Sequence, residues 1–401
     1  MKKGTSLYLD LARIAAALMV FAEHAREHTR NSFHWFWKNH PTWFGWSDPL
    51  SLVAGMVVFV LSGYVIAHVL ATREKTLVEY SASRIARLYS IMVPAMLLAL
   101  LTNHAEALRY PDAFAGYDDI PSAIRYLGSA LFVTHYWLWP DLGLPNMPLW
   151  RLSYEVTYYI AVALILFTRA RTRIFSLLAL CVVAGPSMIL LAPTWFIGYA
   201  MYHFAQKTQL RKRYAIGLWL ASTFGLLIAG PQIEVHFRQH LGFLRMPDNS
   251  VGGLLAAYVE AFCFAVNIFA VNILSDDAEL LLGRFTKIIR WLGATTFALY
   301  MFHQPLLSYF TVYPVGQSFE ARTSIEQAIL LIGGTLLIVA TLGHLCERLK
   351  RPYKRLLLAA WARFAPPRLA AIGERSSDQL GNNKMIDAVD AEQLHRPTIT
   401  R

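Results

Sequence analysis

The chain has 401 residues, 56% of them hydrophobic and 16% charged, with a mean hydropathy of +0.38. Soluble domains carry about 25% charged residues, so the composition excludes an ordinary soluble enzyme and a disordered chain. The net charge of +11 would suit a nucleic-acid binder, but here the cations sit between long apolar runs, as in the cytoplasmic loops of a multi-span membrane protein. Cys181, Cys263 and Cys346 lie far apart beside apolar segments, with neither metal-ligand spacing nor a disulfide framework.

In chain order, ten segments read as membrane helices: 7–25, 50–71, 85–103, 150–168, 174–191, 194–206, 214–230, 252–274, 290–312 and 326–345. Lys2 and Lys3 ahead of the first apolar run suggest a signal peptide, but Asp10 and Arg13 interrupt it and no A-x-A site follows. It is expected to be an uncleaved first helix. Residues 194–206 are short for a span and borrow from the turn before them. Residues 127–139 are apolar but too short to cross, and read as a re-entrant or interfacial piece.

Charge sets the topology. With 127–139 left out, both termini are cytoplasmic and the inner segments hold 21 basic residues against 9 outside. A crossing at 127–139 would turn Arg169, Arg171 and Arg173 outward, against the positive-inside rule. The expected fold is therefore an all-α polytopic bundle of about ten transmembrane helices. A membrane domain over 1–356 is followed by a polar cytoplasmic tail over 357–401, expected to be disordered. The outer loops 26–49 and 104–149 carry Trp35, Trp37, Trp43, Trp46, Tyr136, Trp137 and Trp139. They read as an interfacial aromatic belt or as a platform for sugar rings.

Ionisable residues inside spans are costly and mark function. Arg13 and His24 are eleven residues apart, close to three helical turns, so they share one face roughly 16 Å apart along the axis. Arg13 also stands three residues from Asp10, where a local ion pair is the plain alternative. Glu155 falls near the entrance of the fourth span, at a depth like that of His24, and a carboxylate beside a histidine fixes its tautomer. Its plain alternative is to neutralise Arg151, one turn earlier. His303 precedes Pro305, which loosens the helix backbone, and a buried histidine satisfied by a freed carbonyl is the alternative there. Arg84 and Arg87 share a face at the inner mouth of the third span, with Arg73 and Lys75 on the same loop. Guanidinium forks suit phosphates; ordinary inner-leaflet anchoring is the alternative.

Six segments in order resemble the membrane-spanning acyltransferase family 3. These are the Arg-x10-His pattern of Arg13 and His24, the F-x-LSG segment from Phe59 through Ser62 to Gly63, and the R-x-x-R-[IL]-Y segment with Arg84, Arg87 and Tyr89. The others are Trp150, Leu152 and Glu155 in PLWRLSYE, Tyr300, His303 and Pro305 in ALYMFHQP, and the closing Glu–Arg–Pro stretch in CERLKRP. The likeness covers roughly residues 5–356. Two positions depart from the pattern: Arg151 stands where serine is usual, which alters the pocket next to Glu155, and Ser90 stands where proline is usual.

The resemblance implies an acyl-CoA donor, by default acetyl-CoA, and a hydroxyl acceptor on an extracytoplasmic carbohydrate or glycolipid, at a multi-pass site in the cytoplasmic membrane. On that reading Arg84, Arg87 and Arg73 receive the donor's phosphates. His24 is the general base oriented by Glu155 or Glu23, or else carries a transient acyl group, and Arg13 lines the path. His303, Tyr300, Trp150, Ser62 and Gly63 support the site. No metal and no nucleic acid are expected. The rival reading is a transporter or flippase for a glycan or lipid-linked intermediate, against which no inverted repeat is visible. Weaker rivals are a haem protein using His24, His203 and His303, and a sensor that has lost catalysis.

Overall fold

The computed structural model describes residues 1–29, 49–109, 122–137, 149–230, 232–233, 236, 245–246, 249–312 (247–248 excluded) and 324–364. The outer-loop tryptophans other than Trp137, and the tail beyond Phe364, lie outside the described residues.

Each of the ten apolar segments is helical. The helices are α1 (Lys3–Thr29), α2 (Pro49–Thr72), α3 (Leu77–Arg109), α4 (Ser122–Ala130), α5 (Trp150–Phe167), α6 (Ala170–Ala184), α7 (Pro186–Lys207), α8 (Lys212–Phe224), α9 (Val251–Ile273), α10 (Ser275–Leu282), α11 (Thr286–Val312), α12 (Ser324–Ala328) and α13 (Thr335–Phe364). Single π turns at Gly225–Ala229 and Ile329–Gly334 continue α8 and lead into α13. A two-residue hairpin pairs Arg245–Met246 with Asn249–Ser250.

Six helical stretches are long and apolar enough to cross a membrane: Lys3–Arg26, Leu52–Thr72, Leu77–Leu108, Pro186–Lys207, Gly253–Ile273 and Ile325–Arg363. The remaining expected spans are helical but fall short of that measure. α6 has 15 residues and α8 has 13, below the roughly 20 that a bilayer core requires. α4 has nine residues and ends where Phe132 takes a left-handed φ of 58°. At 1.5 Å per residue it rises about 13 Å, so residues 122–137 fold as a short helix and a turn.

Two boundaries differ from the sequence reading. The fifth and sixth spans part at Gly185 rather than near residue 192. Gly185 has φ 93°, and Pro186 opens α7, which runs 22 residues to Lys207. Glycine supplies the left-handed turn and proline the pre-set first helical residue, a stronger break than Pro193, which α7 absorbs. At the other end, α13 continues to Phe364, seven residues past the expected start of the tail at 357.

α1 is surrounded by α2, α9, α10 and α11, while α3 packs on α11, α13 and α5, and α7 on α2, α9, α6 and α5. The α2–α7 contact is made by glycine on both sides. A Cβ on Gly63 would lie 2.2 Å from the Trp195 carbonyl oxygen, and one on Gly198 would lie 2.0 Å from that of Val60. Small residues let helix backbones meet in this way, and dispersion then rewards the close fit. Lys3 reaches Glu279, Lys212 reaches Asp277 and Arg290 reaches Asp10. The start of α1 and the α7–α8 and α9–α11 connections therefore share one end of the bundle.

Adding a methyl at either glycine forces the backbones apart. Gly198→Ala is expected to cost about 1–3 kcal/mol, the range of overpacked cores, and to lower the melting midpoint in detergent. Gly217→Ala meets nothing within 4 Å and is expected to be neutral or to stabilise α8 by up to about 1 kcal/mol. Thermal size-exclusion profiles of both variants check this.

Candidate active site

The shared end of the bundle opens into a groove of about 380 Å³ between the end of α2, the start of α3 and the second half of α13. Arg73, Arg84, Arg87, Lys350 and Lys354 line it, together with Glu74 and Glu79. Spacings of three on α3 and four on α13 put each pair on the facing side of its helix. The two arginines of the SRIAR segment have different surroundings. Arg84 is buried, and its Nη2 donates to both Glu74 oxygens at 2.8 and 2.9 Å. Its guanidinium also lies over the rings of Tyr80 and Tyr159, at 5.3 and 5.9 Å. Arg84 is thus held within the protein, whereas Arg87 is half-buried at the inner end of the groove. Lys350 and Lys354 went unremarked in the sequence. Their only signal was the basic run after the closing Glu–Arg–Pro stretch, and Lys350 also pairs with Glu347.

Beyond Arg87 lies a smaller cavity of about 70 Å³, lined by Arg13, Arg87, Arg151, Glu155, Thr296 and Tyr300 among others. Arg87 lines both spaces. Arg13 donates from Nη2 to Asp10 at 2.8 Å, and Asp10 also receives Arg290. The local ion pair and the lining of a cavity therefore both hold for Arg13. Glu155 accepts from the Tyr159 hydroxyl at 3.1 Å, and that hydroxyl lies 3.0 Å from Ser62 Oγ. The Tyr159 carbonyl accepts from Tyr80 at 3.1 Å. A chain of contacts thus runs from Glu74 through Arg84 and Tyr159 to Glu155, with Ser62 of the LSG segment at its side. Gly63, next to it, is the α2–α7 contact.

Arg151 is buried and its guanidinium lies against Gly55, where a Cβ would come within 2.6 Å of it. Its large side chain fits because α2 has no side chain there, a partner that the sequence reading missed. Glu155 and Glu260 both act electrostatically on Arg151. The Tyr300 hydroxyl is buried without a hydrogen bond among the described residues. Trp150 starts α5, but its side chain lies outside the described residues.

His24 has a histidine as its ring neighbour. Its ring lies 5.1 Å from that of His303, centre to centre. Glu155 is engaged with Tyr159, and Glu23 pairs with Arg26 one turn away. His303 is fully buried on α11, between Phe21 and Tyr300, whose rings are 6.3 and 6.2 Å from its own. Its Nδ1 lies 2.9 Å from the Leu299 carbonyl. That carbonyl is not the one Pro305 frees, since a proline removes the bond to the residue four before it, here Met301. Ser90 bonds its own preceding turn at Arg87, and Tyr89 donates to the Ala130 carbonyl at 2.6 Å, tying α4 to α3.

Among the described residues, no group of three or more histidine, cysteine or acidic side chains is placed to hold a metal ion. What converges is a cationic groove at one end, an arginine–carboxylate cavity beyond it, and two histidines farther along α1 and α11. No curated protein and no solved structure matches the chain. A family model described as an acyltransferase domain matches residues 6–344. That stretch holds the groove's arginines, the cavity and both histidines, and the chain belongs to acyltransferase family 3, as a membrane acyltransferase.

Proposed function

We propose that the protein transfers a short acyl group, acetyl by preference, from cytoplasmic acyl-CoA to a hydroxyl of an extracytoplasmic carbohydrate or glycolipid, in the cytoplasmic membrane. The observation that carries this reading is that Arg87 lines both the groove and the smaller cavity beyond it. A donor with an anionic head and a long thin arm matches that shape. Its phosphates meet Arg73, Arg87, Lys350 and Lys354, and its arm passes Arg87 towards Arg13, Glu155 and Tyr300.

In this mechanism the groove recognises charge and the cavity guides the thioester arm past Arg13 and Tyr300 towards His24. Guanidinium groups and the Tyr300 hydroxyl are the donors available to the thioester oxygen as negative charge develops on it. Glu155, held by Tyr159 and Ser62, fixes the positions of these cations. His24 takes the proton of the acceptor hydroxyl as its oxygen attacks the acyl carbon. The carbon–sulfur bond then breaks, the ester leaves on the acceptor, and the proton passes to the coenzyme A thiolate. The two-step route, with the acyl group resting on His24 before reaching the hydroxyl, uses the same groups. A labelled enzyme trapped by rapid quench in the absence of acceptor would select it.

The twin arginines separate binding from structure. Arg87→Ala is expected to weaken binding of labelled acetyl-CoA to the solubilised protein about tenfold, the worth of one charge-assisted contact, while the melting midpoint stays near wild type. Arg84→Ala instead leaves Glu74 buried and unpaired and is expected to cost about 3–5 kcal/mol of stability. Equal losses of binding with unchanged stability in both variants would mean that both forks hold phosphate. Undiminished binding in Arg87→Ala would remove the groove from donor recognition.

The Glu155 chain gives a graded series in acyl transfer by membranes. Glu155→Gln is expected to lose at least about 100-fold in rate and Tyr159→Phe about tenfold, the latter being the loss of one hydrogen bond to a charged group. Ser62→Ala, which removes a neutral hydroxyl beside both Tyr159 and Glu155, is expected to lose less than Tyr159→Phe. A loss in Ser62→Ala as deep as that in Glu155→Gln would place the serine itself at the reaction.

A further inference from the structure

His303 has a defined hydrogen-bonding state. A carbonyl oxygen only accepts, so the 2.9 Å contact with Leu299 requires His303 Nδ1 to carry the proton. In a neutral imidazole the other nitrogen, Nε2, is then a lone-pair acceptor. It is buried and has no hydrogen-bond partner among the described residues. An acceptor in that position is satisfied only by an N–H or O–H. The titratable groups facing it are His24 and His28 on α1 and Tyr300 on its own helix. His28 Nδ1 is turned to Thr311 Oγ1 at 3.1 Å, and the Thr311 hydroxyl proton is donated to the Leu307 carbonyl at 2.8 Å. The His24 ring lies 5.1 Å away, centre to centre; no hydrogen bond joins the two rings in the structure, and a turn of the His24 ring is what would aim an N–H at the His303 lone pair.

We infer that His303 is the positioning residue for His24: its buried Nε2 accepts the N–H of one His24 nitrogen and so leaves the other as the base for the acceptor hydroxyl. This inference rests on the acyltransferase reading for its consequence in catalysis, but not for the pairing itself. The role is the one a carboxylate fills beside a catalytic histidine. A neutral nitrogen acceptor fixes the tautomer equally well and holds the imidazolium that forms when His24 takes the proton. It does so without adding a charge to a fully buried site, where an unpaired carboxylate would be expensive. When the proton moves on to the departing thiolate, His24 returns to its starting tautomer and the pair is unchanged.

The pairing is read by nitrogen NMR of the solubilised protein labelled in histidine. The unprotonated Nε2 resonance of His303 is expected to move when His24 is replaced in His24→Ala, and no movement overturns the pairing. The catalytic role is read by two variants at matched membrane abundance. His303→Leu keeps the packing but has no acceptor, and is expected to lose about 100-fold in transfer rate, the lower end of what a positioned base contributes. The acid limb of its kcat/KM profile is expected to shift to lower pH, because the His24 imidazolium has lost its acceptor. His303→Gln restores an acceptor oxygen and is expected to stay within about tenfold of wild type, with the acid limb near its original place. Equal activity and equal pH profiles in the Leu and Gln variants would reduce His303 to packing and overturn the inference. Wild-type membranes that transfer no acyl group, with the nitrogen shift still coupled to His24, would instead overturn the acyltransferase assignment and leave the pair standing.

Discussion

A guanidinium buried in an apolar bundle has to be answered by polar groups of the same bundle, and that constraint decides which helices meet here. Arg13 and Arg290 share Asp10, which ties α1 to α11. Arg84 takes both oxygens of Glu74 and lies over Tyr80 and Tyr159, which ties the turn after α2 to α3 and α5. Arg151 fits only because α2 offers Gly55 instead of a side chain. Breaking one such pair costs about 3–5 kcal/mol because a charge is left uncompensated, so these contacts fix the arrangement of helices more firmly than the interchangeable leucines around them.

The cations that line the groove and the cavity lie in sequence along one path. Arg73, Lys350 and Lys354 border the groove, Arg87 stands at its inner end, and Arg13 lies beyond it in the cavity. His24 follows on α1, roughly 16 Å farther along the axis than Arg13. Tyr300 and His303 make the same progression on α11, one turn apart. A reaction that starts with an anionic donor at one face and ends on a hydroxyl near the other needs such a division: charge recognition where water enters, and a neutral, dry environment where the proton moves.

Much of this was legible in the sequence, for particular reasons. The ten helical segments follow from runs of apolar residues, and the shared face of Arg13 and His24 follows from the helical repeat. The sequence does not say which side chain from another helix fills the space beside a given residue. It set His24 beside Glu155 by depth; the ring found beside His24 is that of His303, and Glu155 accepts from Tyr159, whose hydroxyl lies next to Ser62. It treated Arg84 and Arg87 alike because spacing is blind to Glu74, a residue ten positions before Arg84 that returns to it through the α2–α3 turn. Lys350 and Lys354 look like ordinary flanking charge until α13 is seen to form a wall of the groove. Gly185 outweighed Pro193 as a helix break because a left-handed φ ends a helix, whereas a proline inside it removes only one bond.

The central claim is that this membrane protein moves an acyl group onto a surface carbohydrate with His24 as the base. The most direct measurement is the O-acyl content of cell-surface glycans, by NMR and mass, in a deletion strain, in that strain with the wild-type gene restored, and in that strain with His24→Ala at matched membrane abundance. The account predicts that acyl groups vanish on deletion, return with wild type and stay absent with His24→Ala. Unchanged acylation together with a fall in the amount of exported glycan would contradict it and make the protein a transporter built on the same helices.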